Sequence, residues 1–315
     1  MVTSPEKPKL PSPLPAPSVH APSPGLPVTT KRSLLALFAL AAYIAWSFGA
    51  WEAVLQKTSI RPRLRPAILL VGDSLTEKGT IPKTNGWVTL LQSDYRRSVN
   101  VVPRGLSGYN TRYARSAEVP VIAGEISSGA YTPALITIWL GANDAALPNG
   151  SAVAQHVPID DYKGNLVKLV HAFKGMAPGA KILLITPPLV DDEVQQTHSE
   201  RYQGAMKGVV VHSNKMAGMY ARACVDTATV LGLPVLDLHT YFNNLTDWTR
   251  KHVLEDGLHL NLKGNNYMYE QLRKKIDVEF PNFAHKFERW QIPSYEKWVD
   301  SDPWVPEATN STPAN

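Results

Sequence analysis

The 315-residue chain has one cysteine, Cys224. A single thiol can form neither an intrachain disulfide nor a cysteine-based metal cluster, and within "YARACVDTATV" it reads as a small buried hydrophobe. An excess of one charge sign is also missing: 32 Lys and Arg face 27 Asp and Glu, for a formal net charge of +5 and an isoelectric point near 9.1. That balance leaves no strong nucleic-acid footprint, and a mildly basic surface accounts for it. No G-x-G-x-x-G or P-loop follows a candidate strand, and neither H-E-x-x-H nor a G-x-S-x-G elbow occurs. These absences argue against nucleotide-dependent chemistry, a helical zinc site and the usual α/β-hydrolase arrangement. No cofactor and no metal are expected.

What is present is a hydrophobic fraction of 44%, enough for a real core, distributed unevenly. Residues 1–32 form a head rich in Pro, Ser and Ala ("PKLPSPLPAPSVHAPSPGLP"), too poor in apolar surface to order itself. From Ser33 to Trp51 nineteen residues carry no formal charge and are mostly apolar, a length that spans a bilayer core as a helix, with Trp46 and Trp51 suited to an interface. A single-pass membrane anchor over 33–51 is therefore expected. A signal peptide competes with it, since Ser47 and Gly49 are small residues at cleavage spacing, and would make the protein secreted; a buried or peripheral helix is the third reading. Lys31 and Arg32 on one side, against Lys57, Arg61, Arg63 and Arg65 on the other, slightly favour a cytosolic catalytic part. Residues 66–287 read as one domain, and 288–315 as a loosely attached extension whose Trp298 and Trp304 can fold back on the body.

Within 66–287 short apolar runs alternate with helical patterns. Strands are expected at 67–71 ("AILLV"), 99–103, 134–140, 181–187 and 234–238, each nearly continuously hydrophobic, as strands covered on both faces must be. Tyr162, Leu166, Leu169 and Phe173 recur at helical spacing, as do Met206, Val210, Ser213, Ala217 and Ala221, and a last helix is expected over 262–276. The pattern predicts an α/β fold, a three-layer α/β/α sandwich with a mostly parallel five-stranded, flavodoxin-like sheet. In such a fold the site lies beyond the carboxyl ends of the strands.

Four polar clusters fall at such places: Asp73 and Ser74 after the first strand, "RGLSGYNTRYA" (104–114) after the second, "GANDAALP" (141–148) after the third, and "DGLHLN" (256–261) before the last helix. Ser74 is either a helix cap or a nucleophile. Asp256 and His259, three apart, suit either a helix-entry turn with a structural histidine or a base with its orienting acid. Gly108 can offer an unobstructed N–H, Asn143 a side-chain amide and Ser74 an N–H at a helix start, three donors for an oxyanion; as a turn former Asn143 needs no such role. Asp73 and Asp144 suffice as caps or loop braces. A carboxylate metal site from Asp73, Asp144 and Asp256 with His259 is the remaining alternative. Leu106, Tyr109, Leu147 and Val157 lie near these clusters and are candidates for a pocket lining, while Trp139 reads as strand packing.

Taken in order, "GDSLTEKG", "RGLSGYNTR", "GANDAALP" and "DGLHLN" resemble the four blocks of the SGNH, or GDSL, hydrolase superfamily. The stretches "HVPIDDYKGNL" (156–166), "ITPPLVDD" (185–192) and "DGLHLNLKGNNYMYEQL" (256–272) resemble its isoamyl acetate-hydrolysing esterase branch, over roughly residues 67 to 285. The resemblance implies a serine esterase in which Ser74 attacks an ester carbonyl, His259 is base and then acid, and Asp256 orients it. It implies an oxyanion hole from Ser74, Gly108 and Asn143, small carboxylic esters as substrates, and no metal or organic cofactor. The head and apolar segment depart from the branch, so a lipid ester taken from a membrane surface stands as the alternative substrate, and a non-catalytic binding module as the alternative class.

Overall fold

Alternation along the first strand sets the architecture. The computed structural model describes residues 65–291 and 294–296 together with residues 39, 40, 43, 44 and 46. In it PAILLVG forms β1 (Pro66–Gly72). Ile68 and Leu70 enter one core while Ala67, Leu69 and Val71 enter another, as a strand between two helical layers requires. With β2 (Asn100–Gly105), β3 (Thr132–Trp139), β4 (Lys181–Ile185) and β5 (Val235–Leu236) it makes an all-parallel sheet of order β2-β1-β3-β4-β5. The strand order reverses between β1 and β3, and a crevice opens beyond the carboxyl ends at such a switch point.

The principal helices are α1 (Ser74–Glu77), α2 (Trp87–Asp94), α3 (Val119–Ser127), α4 (Ile159–Met176), α5 (Asp192–Ser199), α6 (Asn214–Leu231), α7 (Leu238–Asn243), α8 (Leu262–Glu279) and α9 (Pro281–Phe287). Trp87 and Leu91 of α2 and Met268, Leu272 and Ile276 of α8 fill the first core. Ile122 of α3, Tyr162, Leu166 and Phe173 of α4, and Tyr220 of α6 fill the second, with Cys224 among them. Trp139 is a core residue, its ring edge-on to Trp87 at 5.7 Å and its Nε1 donating to the Thr186 carbonyl at 2.9 Å.

Three elements differ from the sequence expectation by three residues or more. α6 begins at Asn214 because Ser213 caps it, accepting the Met216 N–H at 3.2 Å; Met206 sits in a separate 3-10 turn and Val210 in the loop between. β5 is shorter than 234–238 because Asp237 already caps α7, accepting the Thr240 N–H at 3.0 Å. α8 continues three residues past Ile276 to Glu279.

The chain divides into two units, Met1–Arg63 and Leu64–Asn315. In the first, residues 39, 40, 43, 44 and 46 are helical. The rest of the expected anchor over 33–51, the Pro-rich head, Trp298 and Trp304 lie outside the described residues. Among the described residues no helix is long and apolar enough to cross a membrane, where about 20 apolar residues are needed. This overturns the expected single-pass membrane placement.

Candidate active site

β1 delivers Ser74 to the crevice by stopping abruptly. After Gly72 the chain turns, Asp73 caps α1 by accepting the Leu75 N–H at 2.9 Å, and Ser74 becomes the first helical residue. A Cβ on Gly72 would lie 2.1 Å from the Thr76 hydroxyl, so the turn closes only with glycine. Trp87 fixes the helix from below, its Nε1 donating to the Leu75 carbonyl at 3.0 Å.

The loop before α8 brings its two polar side chains to the same point. The Asp256 Oδ1 accepts the N–H groups of Leu258 and His259 at 3.1 and 2.9 Å, a tight turn through Gly257 at φ +88°. Its Oδ2 lies 2.6 Å from His259 Nδ1, and His259 Nε2 lies 2.8 Å from Ser74 Oγ. A carboxylate only accepts, so Nδ1 carries the imidazole proton and Nε2 presents its lone pair to the serine hydroxyl. Burial alone would raise the Asp256 carboxyl. The hydrogen bonds from the His259 ring and from the His259 and Leu258 N–H groups outweigh it and hold the acid well below the usual carboxylate range. Lys78, at the end of the "GDSLTEKG" block, adds a cation 3.8 Å from the same Oδ2.

The other two strand-end loops carry donors of their own. Tyr109 N donates to the Leu106 carbonyl at 3.0 Å across a turn whose third residue, Gly108, has φ +80°, as a type II turn demands. Asn143 gives one amide N–H to the Tyr109 carbonyl at 2.8 Å, which leaves its second free to donate elsewhere. Ser74 is 7% exposed, and its N–H sits in the first helical turn, where no intrahelical carbonyl reaches.

Asp73 and Asp144 act as braces. Asp144 takes the Thr111 N–H at 3.0 and 3.1 Å and the Thr111 hydroxyl, tying the loop after β3 to the loop after β2. Burial pushes both carboxyls up to about 7, against the pull of these bonds. Among the described residues no group of three or more His, Cys, Asp or Glu is placed to hold a metal ion.

A cavity of about 140 Å³ borders the Asp256–His259 pair, walled by Gln195, His198, Tyr202, Val211, His212 and Leu258. None of Leu106, Tyr109, Leu147 and Val157 borders it. Val157 is 2% exposed and belongs to the second core, because its N–H is committed to the Asp144 carbonyl at 3.1 Å and the loop turns inward there. Leu147 is tied by its N–H to the Val211 carbonyl at 2.8 Å, Tyr109 packs edge-on to Tyr113 at 5.9 Å, and Leu106 is on the surface. The sequence reading missed α5, which supplies Gln195 and His198, and missed Tyr202 and His212. Gln195 Nε2 also donates to the Asp256 carbonyl at 3.1 Å, bracing the loop.

Known proteins are similar to this chain. A family model described as GDSL-like lipase/acylhydrolase matches residues 70–267. A GDSL esterase/lipase of Arabidopsis thaliana is 37% identical over 216 residues, covering 69% of this chain and 88% of that protein. The isoamyl acetate-hydrolyzing esterase 1 homolog of Rattus norvegicus is 33% identical over 230 residues, covering 72% of this chain and 88% of its own. The crystal structure of the acetyl xylan esterase AlAXEase has a TM-score of 0.52 at 16% identity, covering 67% of this chain and 99% of that one, a likeness of fold alone. By the extent of these matches the chain belongs to the GDSL-like lipase/acylhydrolase family and is an SGNH-type ester hydrolase.

Proposed function

We propose that the chain hydrolyses short-chain carboxylic esters, isoamyl acetate among them, through an acyl-enzyme on Ser74. The observation that carries the reading is the hydrogen-bonded line from Asp256 through His259 to Ser74 Oγ, whose Asp256 and His259 border a cavity. As Oγ bonds to the ester carbonyl carbon, its proton passes to His259 Nε2, and Asp256 stabilises the imidazolium that forms. The developing oxyanion takes the N–H groups of Ser74 and Gly108 and the free amide N–H of Asn143. Collapse breaks the bond to the alcohol oxygen, which leaves with the proton from His259. Water then attacks the acyl-serine with His259 again as base, releasing the carboxylic acid and restoring Ser74.

Cavity size bears on the substrate. His259 must reach the departing alcohol oxygen, so the cavity bordering it is where the alcohol half lodges. An engineered cavity of about 150 Å³ admits benzene, so about 140 Å³ suits an alcohol of roughly six non-hydrogen atoms. Isoamyl alcohol has that size, whereas a longer chain would extend out through the cavity's open side.

The test compares wild type with Ser74→Ala on alkyl acetates from ethyl to decyl and on p-nitrophenyl esters from acetate to decanoate. Wild-type kcat/KM should fall once the alcohol exceeds about six heavy atoms, and Ser74→Ala should lose roughly 10³-fold or more. Comparable hydrolysis by both proteins overturns the reading, and a steep rise toward long chains replaces it with lipid ester hydrolysis.

A further inference from the structure

One helical turn beyond Ser74 the chain places a cation at the far end of the proton line. The Lys78 N–H donates to the Ser74 carbonyl, closing the single turn of α1, and two residues four apart leave the same side of a helix. Lys78 Nζ then lies 3.8 Å from Asp256 Oδ2, the oxygen 2.6 Å from His259 Nδ1. Among the described residues Asp256 is the one carboxylate within ion-pair distance of Lys78, and no other Lys or Arg comes that close to Asp256.

The distance decides what Lys78 does there. A charge-assisted N–H···O bond closes to about 2.7–2.9 Å, so at 3.8 Å the ammonium acts through its charge rather than as a donor that orients the carboxylate. Nor is it needed to keep the acid ionised, because the hydrogen bonds from His259 and Leu258 outweigh burial and already hold Asp256 well below the usual carboxylate range. What the cation alters is the third member of the group. When His259 takes the Ser74 proton it becomes an imidazolium, and two cations then share one carboxylate, so Lys78 disfavours the protonated ring. From the other elements packed against the pair come Ser74 on α1, His198 on α5, and Tyr202 and His212 from the stretch between α5 and α6. Burial and His259 push His212 down to about 4, with Asp256 opposing, so it brings no positive charge near neutrality.

We propose that Lys78 keeps His259 in its neutral, proton-accepting form to lower pH than the line of Ser74, His259 and Asp256 would alone, and so extends ester hydrolysis toward the acid side. Lys78 touches no reacting atom; it is a positioning residue that acts through Asp256. The inference rests on the ester-hydrolase reading of the same site and adds a pH range to it. Its two competing roles separate by charge. A tether between α1 and the Asp256 loop would matter equally at every pH, whereas a charge beside the carboxylate matters only where the ring titrates and weakens as salt is added.

The experiment follows kcat/KM for isoamyl acetate from about pH 4.5 to 9 in wild type, Lys78→Met and Lys78→Arg, at low salt and in about 0.5 M NaCl. The acid limb of that profile reports protonation of the base in the free enzyme. Lys78→Met should move the limb up by about 0.3–0.8 pH unit, as loss of one partly exposed neighbouring cation does, so that kcat/KM falls about 2- to 6-fold below the limb and stays within about 2-fold above it. Lys78→Arg keeps the charge and should leave the limb within about 0.2 unit of wild type. Added salt should narrow the gap between wild type and Lys78→Met. A Lys78→Met limb that coincides with wild type at low salt or moves down, an even loss at every pH, or an equal shift in Lys78→Arg overturns the inference and leaves the ester-hydrolase reading standing. No turnover by wild type overturns the short-ester reading; the His259 ring signals, titrated by NMR, then give the same comparison, and coincident titrations in wild type and Lys78→Met overturn the inference as well.

Discussion

Asp73 and Glu118 hold carboxyl oxygens that no described residue pairs. Glu118 is 4% exposed with both oxygens unpartnered, and Asp73, next to the candidate nucleophile, has an unpartnered Oδ2. Burial pushes Glu118 up to about 8, with Arg104 opposing and Asp73 adding to the shift. In the unfolded chain the same group titrates near its ordinary value of 4.5. Between those two pH values the folded state retains a proton the unfolded state has lost, so stability falls as pH rises and levels off above about 8. His212 has the opposite sign: lowered from 6.5 to about 4, it adds stability as pH rises through that interval and nothing further above it. The acids therefore act alone from about pH 6.5 to 8. Glu118→Gln should stabilise the protein at pH 8.5 by on the order of 1–4 kcal/mol more than at pH 4.5, read from urea unfolding. An equal effect at both pH values contradicts the account. Nothing in the sequence marked Glu118, because its burial arises only when a π-helical turn (Ala114–Glu118) packs it inward.

At the scale of elements, the site is a set of strand ends held together by short, specific contacts. The end of β2 lies against α1 so closely that a Cβ on Gly105 would sit 2.2 Å from the Glu77 backbone nitrogen. Leu106 N then donates to the Gly72 carbonyl at 3.0 Å, and Glu77 Oε2 accepts the Ser107 N–H at 2.6 Å. Glu77 thus ties α1, which carries Ser74, to the turn that carries Gly108. Glu77→Ala should lower kcat by roughly 3- to 10-fold with little change in KM, and Glu77→Gln, whose amide oxygen can accept the same N–H, should recover most of the loss. A matching loss in both variants, or a change confined to KM, contradicts this positioning role. These elements were unequally legible. The strands were readable because continuous apolar runs admit few other fates, and α4 because its apolar stripe keeps a 3.6 period. α5 was missed because "DEVQQTHS" has no such stripe; Asp191 starts it by capping Glu193 and Val194 at 3.1 Å. Met206 and Val210 matched the period of α6 by coincidence, and the Ser213 cap decided where that helix begins.

Across the whole molecule, the family resemblance and a mostly parallel α/β architecture followed from the order of four polar blocks and five apolar runs, and the structure makes the sheet parallel throughout. The cavity did not. Its walls come from α5, Tyr202 and the 211–212 stretch, brought beside His259 by tertiary packing that no local pattern encodes. The expected membrane span illustrates the same limit: a charge-free run states a length, and among the described residues no helix meets the requirement. The central claim is that Ser74 is the nucleophile of an ester hydrolase. Reaction with a dialkyl p-nitrophenyl phosphate, followed by mass spectrometry of the modified peptides, tests it most directly. The account predicts one phosphoryl adduct, on Ser74, formed in step with one equivalent of p-nitrophenolate and with loss of ester turnover, and no adduct in Ser74→Ala. Turnover that persists in the fully labelled protein, or inactivation by an adduct on another residue, would contradict it.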